Sequence, residues 1–183
     1  IQDGKPVKMS TRKANFITLD ELIKEVGVDA VRFFFIMRSM NSHLNFDLDI
    51  AKEKSEKNPV YYIQYAHARI ASILNLARGH SKDWSHGDVS LLTHTNELAL
   101  IRAMLRLPEL VGQMSRALEP HHLPHYTVEL ATAFHGFYEN CRVVSANPED
   151  DEISLARLKL VESAGIVFRR ALELMGMDAP DHM

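Results

Sequence analysis

The chain has 183 residues, of which 46% are hydrophobic and 25% charged, as in an ordinary globular protein with one sizeable core. Its formal net charge of −3 does not by itself indicate a nucleic-acid-binding protein. No run approaches the roughly 20 apolar residues of a membrane-spanning helix, so we expect no membrane association. The single cysteine, Cys141, excludes an internal disulfide and favours a reducing compartment, the cytoplasm.

The charges are unevenly distributed along the chain. Residues 1–82 contain 13 Lys and Arg against 9 Asp and Glu, whereas residues 83–183 contain 8 against 15. The positive first part fits contact with phosphate groups, and the acidic second part fits a solvated surface. The alternative is a chance imbalance on a soluble surface.

The chain opens with a polar loop, residues 4–12, followed by two short predicted helices. Thr18 and Glu21 form a capping-box pattern at the start of the first helix, and Gly27 ends it. Asp29 is expected to cap the second helix, which continues through the apolar residues that follow.

A long helix that begins at Pro59 has the clearest period in the sequence. Asn58 is its expected N-cap and Pro59 its first residue. Apolar residues then recur at alternating steps of three and four, and this spacing predicts one buried face. The residues of that face are Ile63, Ala66, Ile70, Ile73 and Ala77.

Further helices follow a predicted loop at residues 79–88. Pro108 is expected to divide residues 98–118 into two shorter helices, and Pro120 and Pro124 to bracket a turn. Two more apolar stripes consist of Leu130, Phe134, Phe137, Cys141 and Val144, and of Leu158, Val161, Phe168, Leu172 and Met175. No strand pattern of useful length is present. The predicted fold is an all-α helical bundle preceded by an irregular loop segment.

Three motifs in order give the sequence a family resemblance. Lys8-Met9-Ser10-Thr11-Arg12 resembles the KMSKS signature of class I aminoacyl-tRNA synthetases, although five residues alone are a weak match. Asp29-Ala30-Val31-Arg32 resembles the Asp-Ala-Leu-Arg tetrapeptide of an anticodon-binding helical domain. Tyr61-Tyr62-Ile63-Gln64-Tyr65-Ala66-His67-Ala68-Arg69-Ile70 follows. This order is similar to that of bacterial arginyl-tRNA synthetases, and the resemblance extends over the whole chain to Met183.

The resemblance implies two parts. Residues 1–40 would form the KMSKS-type loop and connecting helices, and residues 41–183 a DALR-type anticodon-binding helical bundle of the class I synthetase kind. The chain begins at Ile1 and contains neither a Rossmann pattern nor an HIGH motif, so we expect the C-terminal fragment of a longer enzyme. The intact enzyme would ligate arginine to tRNA(Arg) with ATP and Mg²⁺, binding ATP and arginine through the missing catalytic half. The fragment alone would be inactive and hold no cofactor.

In that family the KMSKS loop steadies the ATP phosphates during amino-acid activation. The resemblance assigns this catalytic role to Lys8, Met9, Ser10, Thr11 and Arg12. Thr11 stands where the family usually has a second lysine, and a hydroxyl supplies no charge. Arg12 or Lys13 are the neighbouring cations that could supply it. The alternative for the loop is a simple polar connection.

The tRNA-binding candidates on the long helix are Tyr62, Gln64, Tyr65, His67 and Arg69. Tyr62, Tyr65 and Arg69 share one stripe of the helix. Aromatic rings and a guanidinium stack on unpaired bases, while amide and imidazole groups bond to base edges. The resemblance implies that this helix receives the anticodon loop. The alternative, from spacing alone, is that the tyrosines rim the core with their hydroxyls outward.

Three further tRNA-binding candidates are Tyr138, Arg142 and Met183. Tyr138 and Arg142 are four residues apart and lie off the apolar stripe of their helix, and the resemblance implies an anticodon contact for the tyrosine. By analogy Met183 lies near the anticodon, where its flexible thioether packs on a base. The alternatives are an ordinary exposed Tyr-Arg pair and an unordered chain end.

No metal site is predicted. His121, His122 and His125 cluster in the sequence, but no cysteine or carboxylate set completes a tetrahedral zinc site. No coiled-coil seam is present, so we expect a monomer. Two alternatives to the arginyl enzyme stay open: the anticodon-binding part of another class I synthetase, such as cysteinyl, and a helical protein-interaction module that binds no RNA.

Overall fold

The computed structural model describes residues 17–145 and 147–183, and these fold into seven α-helices without a strand. The helices are α1 (Leu19–Val26), α2 (Val28–Ile36), α3 (Leu48–Lys52), α4 (Pro59–Gly79), α5 (Thr95–Ala117), α6 (His122–Asn140) and α7 (Asp151–Leu174). Short 3-10 helices lie at Val89–Leu91 and Pro148–Asp150. The all-α prediction is confirmed, and the KMSKS-like loop lies outside the described residues.

The four long helices enclose the main core. α5 packs against α6, and α4 packs against both α6 and α7. The predicted face of α4 is buried throughout, as are Leu130, Phe134 and Phe137 of α6. From α7, Leu158, Val161, Phe168 and Leu172 complete the core with no exposed surface. Full burial of each such side chain contributes about 1.5–3 kcal/mol, which is why the amphipathic period decides the fold.

The first three helices form a small layer against α4. The Thr18–Glu21 capping box is present, because the Glu21 carboxylate accepts from the Thr18 N–H at 2.8 Å. Gly27 ends α1 at a φ of +85°, which glycine adopts without a Cβ clash. The prediction that Asp29 caps α2 is wrong: Gly27 is the N-cap, and Asp29 lies in the first turn with its carboxylate turned to other partners.

Residues 95–117 form one helix rather than the two predicted around Pro108. Pro108 costs a backbone hydrogen bond, but it is exposed, while Leu100 and Leu107 on the same helix are buried. Continuous packing against α6 outweighs that loss. Pro124 does not bracket a turn either. It is the third residue of α6, where no intrahelical N–H bond is required.

The end of α7 redirects the chain into a C-terminal tail, defined here as residues 177–183. Gly176 adopts a φ of +68°, its N–H donates to the carbonyl of Glu173, and the N–H of Met177 donates to that of Leu172. These two bonds form a Schellman cap. Because Met177 is buried, the tail starts against the bundle rather than in solvent.

Among the described residues, no helix combines the length and the apolar character that crossing a membrane requires.

Candidate nucleic-acid interface

Aromatic residues of α4 and α6 lie together on one side of the bundle, where Tyr62 and Tyr65 contact His135 and Arg69 lies over Tyr138. We call this set the aromatic cluster; it comprises Tyr61, Tyr62, Tyr65, Arg69, His135 and Tyr138. It forms because α4 and α6 pack through their apolar faces, so the residues that flank those faces are brought against each other.

The rings of the aromatic cluster are closely arranged. Tyr61 and Tyr65 stack with centroids 6.1 Å apart and planes at 9°. His135 lies 4.4 Å from the Tyr62 ring and 5.9 Å from the Tyr65 ring. Aromatic pairs at these separations contribute about 0.5–1.5 kcal/mol beyond the area they bury. The cluster is therefore preorganised before any ligand arrives.

Arg69 joins the two helices of the aromatic cluster. Its guanidinium carbon lies 5.3 Å from the Tyr65 ring centroid and 4.9 Å from that of Tyr138. Its Nη2 also donates to the Tyr65 hydroxyl at 2.5 Å. A cation is thus held between two aromatic faces, at positions where it can also meet a phosphate or the face of a base.

Tyr61 and His135 belong to the aromatic cluster but are not among the candidates predicted from sequence, and His135 lies on the facing helix. Burial lowers the pKa of its imidazole below the ordinary 6.5, and a contact with the Tyr62 carbonyl opposes that shift. The Nε2 atom lies 3.5 Å from that carbonyl oxygen. A neutral ring therefore fills the space between Tyr62 and Tyr65. The only sequence signal was its position three residues before Tyr138 on the same helix.

Tyr138 and Arg142 border a shallow groove of about 430 Å³ beside the aromatic cluster. Ile73 and Leu76 of α4 line its other wall, and Leu76 is exposed. Tyr138 is 37% exposed, so part of its ring is accessible. Arg142 is exposed as well, with its Nε 3.4 Å from the Val144 carbonyl. The structure thus brings five predicted residues to one side: Tyr62, Tyr65, Arg69, Tyr138 and Arg142.

Gln64 and His67 occupy a different flank of α4 and contact the C-terminal tail. The Gln64 amide donates to the Asp29 carboxylate at 2.6 Å and to the Asp178 carbonyl at 3.1 Å. His67 is only 2% exposed, and its Nδ1 lies 2.9 Å from the Pro180 carbonyl oxygen. Both side chains are therefore engaged within the chain. Met183, at the end of the tail, is exposed.

A group of possible metal ligands lies in the α5–α6 connection, away from the aromatic cluster. Ligand atoms of Glu119, His121 and His122 lie within 4.8 Å of one another, so a carboxylate does accompany the two imidazoles. The three are exposed or half-buried, and His122 already contacts Glu119 at 3.3 Å. Three ligands are one fewer than a closed structural zinc site uses.

Comparisons with known proteins identify the family of the chain. The model of the DALR anticodon binding domain matches residues 63–183. The chain belongs to this family. An arginine–tRNA ligase of Dehalococcoides mccartyi is 54% identical over 98% of the chain. A Thermus thermophilus arginyl-tRNA synthetase structure matches 94% of the chain with a TM-score of 0.72 and 27% identity, and the match covers 29% of that structure's chain.

A second relative, an arginine–tRNA ligase of Salinibacter ruber, is 49% identical over 100% of the chain. The chain spans about a third of the length of these curated relatives, 32% in each case. The resemblance to arginyl-tRNA synthetases is confirmed, and with it the anticodon-binding helical domain type. The relatives' names favour the arginyl over the cysteinyl alternative.

Proposed function

We propose that this chain is the anticodon-binding part of an arginine–tRNA ligase and that the aromatic cluster receives the anticodon loop of tRNA(Arg). The observation that carries the proposal is Arg69 held between Tyr65 and Tyr138, because stacked rings with an interposed cation suit unpaired bases on a phosphate backbone. The match to arginine–tRNA ligases over nearly the whole chain supports the choice of RNA.

The intact ligase would activate arginine with ATP and Mg²⁺, in a catalytic half that supplies the ATP and arginine pockets. In that enzyme residues 1–40 would connect the halves and residues 41–183 would bind tRNA. The predicted loop residues Lys8, Met9, Ser10, Thr11 and Arg12 would meet the ATP phosphates, where ammonium and guanidinium groups stabilise developing charge. The support for this role is the order of motifs in the sequence.

Binding of the chain to a tRNA(Arg) transcript tests the proposal, with a second transcript whose central anticodon base is replaced. We expect weaker binding on base replacement, and a steep loss of affinity between about 50 and about 200 mM salt as phosphate contacts release counterions. Equal, salt-insensitive binding to both transcripts would favour the protein-interaction module instead.

Tyr65→Ala should weaken binding of the transcript roughly tenfold to a hundredfold, since one stacked base is worth about 1–3 kcal/mol. Tyr65→Phe keeps the ring and removes only the hydroxyl that contacts Arg69, so it should lose far less affinity.

A second test compares Arg69→Ala with Arg106→Ala, a control that removes the same charge. Arg106 also lies over a tyrosine, Tyr126, but outside the aromatic cluster. Equal effects of the two arginine variants would contradict the proposed site.

A further inference from the structure

The C-terminal tail is held along α4 by a chain of polar contacts. The Asp178 N–H lies 3.3 Å from both carboxylate oxygens of Asp29, and Gln64 bonds to the same carboxylate and to the Asp178 carbonyl. Further along, the Pro180 carbonyl contacts His67, and the Asp181 carboxylate lies 3.6 Å from Arg169 Nη2. Every residue from 178 to 181 except Ala179 has a polar partner on the bundle.

Two features show that this arrangement is built into the fold. Gly176 starts the tail at a φ of +68°, a left-handed conformation that glycine adopts without strain, and the Arg32 guanidinium lies over this turn. Asp29 is partly buried, and burial raises the pKa of its carboxyl group while the Gln64 amide opposes that shift. Its hydrogen bonds to the tail and Gln64 offset the cost of that burial.

The tail contacts lie beside the aromatic cluster on the same helix. Gln64 directly precedes Tyr65, and Gln64, Asp178 and Tyr61 of the aromatic cluster line one depression in the surface. At 100° per residue, Gln64 and Tyr65 project from adjacent sectors of the α4 surface. A tail fixed to Gln64 therefore begins next to Tyr61, at one edge of the aromatic cluster, and Met183 ends the same tail.

We infer that Gln64 and His67 are positioning residues that hold residues 177–183 against α4, so that the tail forms one edge of the RNA-binding surface. This inference rests on the proposed function for its ligand, single-stranded RNA. It reverses the role expected from sequence, since Gln64 and His67 act on RNA through the tail rather than by bonding to bases. The carbonyl of Pro180 only accepts hydrogen bonds, so Nδ1 of His67 must carry the proton that it donates.

The test combines hydrogen exchange of a C-terminal peptide that includes residues 176–183 with affinity for a tRNA(Arg) anticodon stem-loop. Gln64→Met keeps the length of the side chain and removes its hydrogen bonds. Gln113→Met is the matched control, because within the described part of the chain the Gln113 side chain bonds to Glu109 of its own helix. At His67, Asn places an amide nitrogen near the Nδ1 position and should rescue, whereas Gln places it near Nε2 and should not.

We expect exchange of the peptide to become several-fold faster in Gln64→Met and His67→Gln, with little change in His67→Asn and Gln113→Met. Stem-loop affinity should fall about fivefold or more in the same two variants. In a chain that lacks residues 178–183, Gln64→Met should cause no further loss of stem-loop affinity, because Gln64 acts through the tail.

Two results would overturn the inference: unchanged exchange in Gln64→Met, or an equal loss of RNA affinity with and without the tail. The second would mean that Gln64 meets RNA directly. Failure of the proposed function gives a different result. The unaltered chain would then bind the stem-loop without regard to the anticodon base, while the exchange data would still report on how the tail is held.

Discussion

The half-buried imidazole of His135 makes the stability of the folded chain sensitive to pH. Because burial lowers its pKa in the folded state, the unfolded chain takes up a proton near pH 6.5 more readily than the folded chain does. Stability that is present above the unfolded pKa is therefore lost as the pH falls from there through the folded pKa. Glu139 and Glu56 raise the pKa of His135 and Arg69 lowers it, each by less than burial does.

We predict that His135→Gln loses less stability than the unaltered chain between about pH 7.5 and about pH 5.5, because the titrating group has been removed. Urea unfolding at the two pH values measures the difference. His135→Phe, which keeps a ring between Tyr62 and Tyr65, should flatten the pH dependence in the same way. If the unaltered chain and both variants lose the same free energy of unfolding between the two pH values, the folded state does not resist protonation of His135.

At the scale of whole elements, a buried ion pair ties α5 to α7. Glu97 is 1% exposed; its Oε1 accepts from Arg157 Nε at 2.7 Å, and its Oε2 accepts from the His94 N–H at the start of α5. Arg157 also donates to the Arg142 carbonyl, at 2.9 Å. One carboxylate thus caps a helix and anchors the guanidinium that supports the segment after α6.

Glu97→Gln should lower the free energy of unfolding by about 2–4 kcal/mol, because it leaves a largely buried guanidinium without its charge partner. The same substitution at Glu129, whose pair with Arg106 is 57% exposed on both sides, should change it by less than about 0.5 kcal/mol. Urea denaturation of both variants gives the comparison. Equal costs would mean that burial does not set the strength of the Glu97–Arg157 pair.

The helices could be predicted from sequence wherever local chemistry and packing agree. Asn58 and Pro59 start α4 as expected, and the steps of three and four identify its buried face. The predicted break at Pro108 was wrong, because the hydrogen bond lost at Pro108 costs less free energy than the packing of the whole helix contributes. At the site, the shared stripe of Tyr62, Tyr65 and Arg69 could be predicted from spacing, whereas the place of His135 between two tyrosines follows only once α6 is packed against α4.

The tail contacts could not be predicted, because they join residues more than 110 positions apart. Gln64 and His67 carry groups that can hydrogen-bond to base edges. The local sequence does not show whether their partner is RNA or another part of the chain. Only the reversal at Gly176 brings residues 178–181 back to α4. Side chains that suit RNA equally suit a backbone carbonyl, so the fold decides between the two.

For the whole molecule, apolar and polar contacts together join the first helices to the bundle of long helices. Phe33 is fully buried, and Phe34 packs edge-on against Phe33 at 5.7 Å and against Phe46 at 5.3 Å. Asp29, on the same helix, bonds to Gln64 and to the tail. α2 therefore contacts α4 and the C-terminal tail, two parts of the proposed RNA surface, and it follows the KMSKS-like loop in the sequence.

In the full-length ligase that we propose, Phe34→Leu should change the rate of aminoacylation as well as affinity for tRNA, because loosened packing of α2 alters how the bundle is held relative to the loop. Phe168→Leu is the control for stability alone, since Phe168 is buried in α7 and belongs to the same core. Both are large-to-smaller core changes of the same chemistry, so they should lower stability to a similar degree. Turnover at saturating tRNA separates them: it should fall in Phe34→Leu and stay near the unaltered value in Phe168→Leu. If turnover changes equally in both, α2 carries no coupling beyond its share of stability.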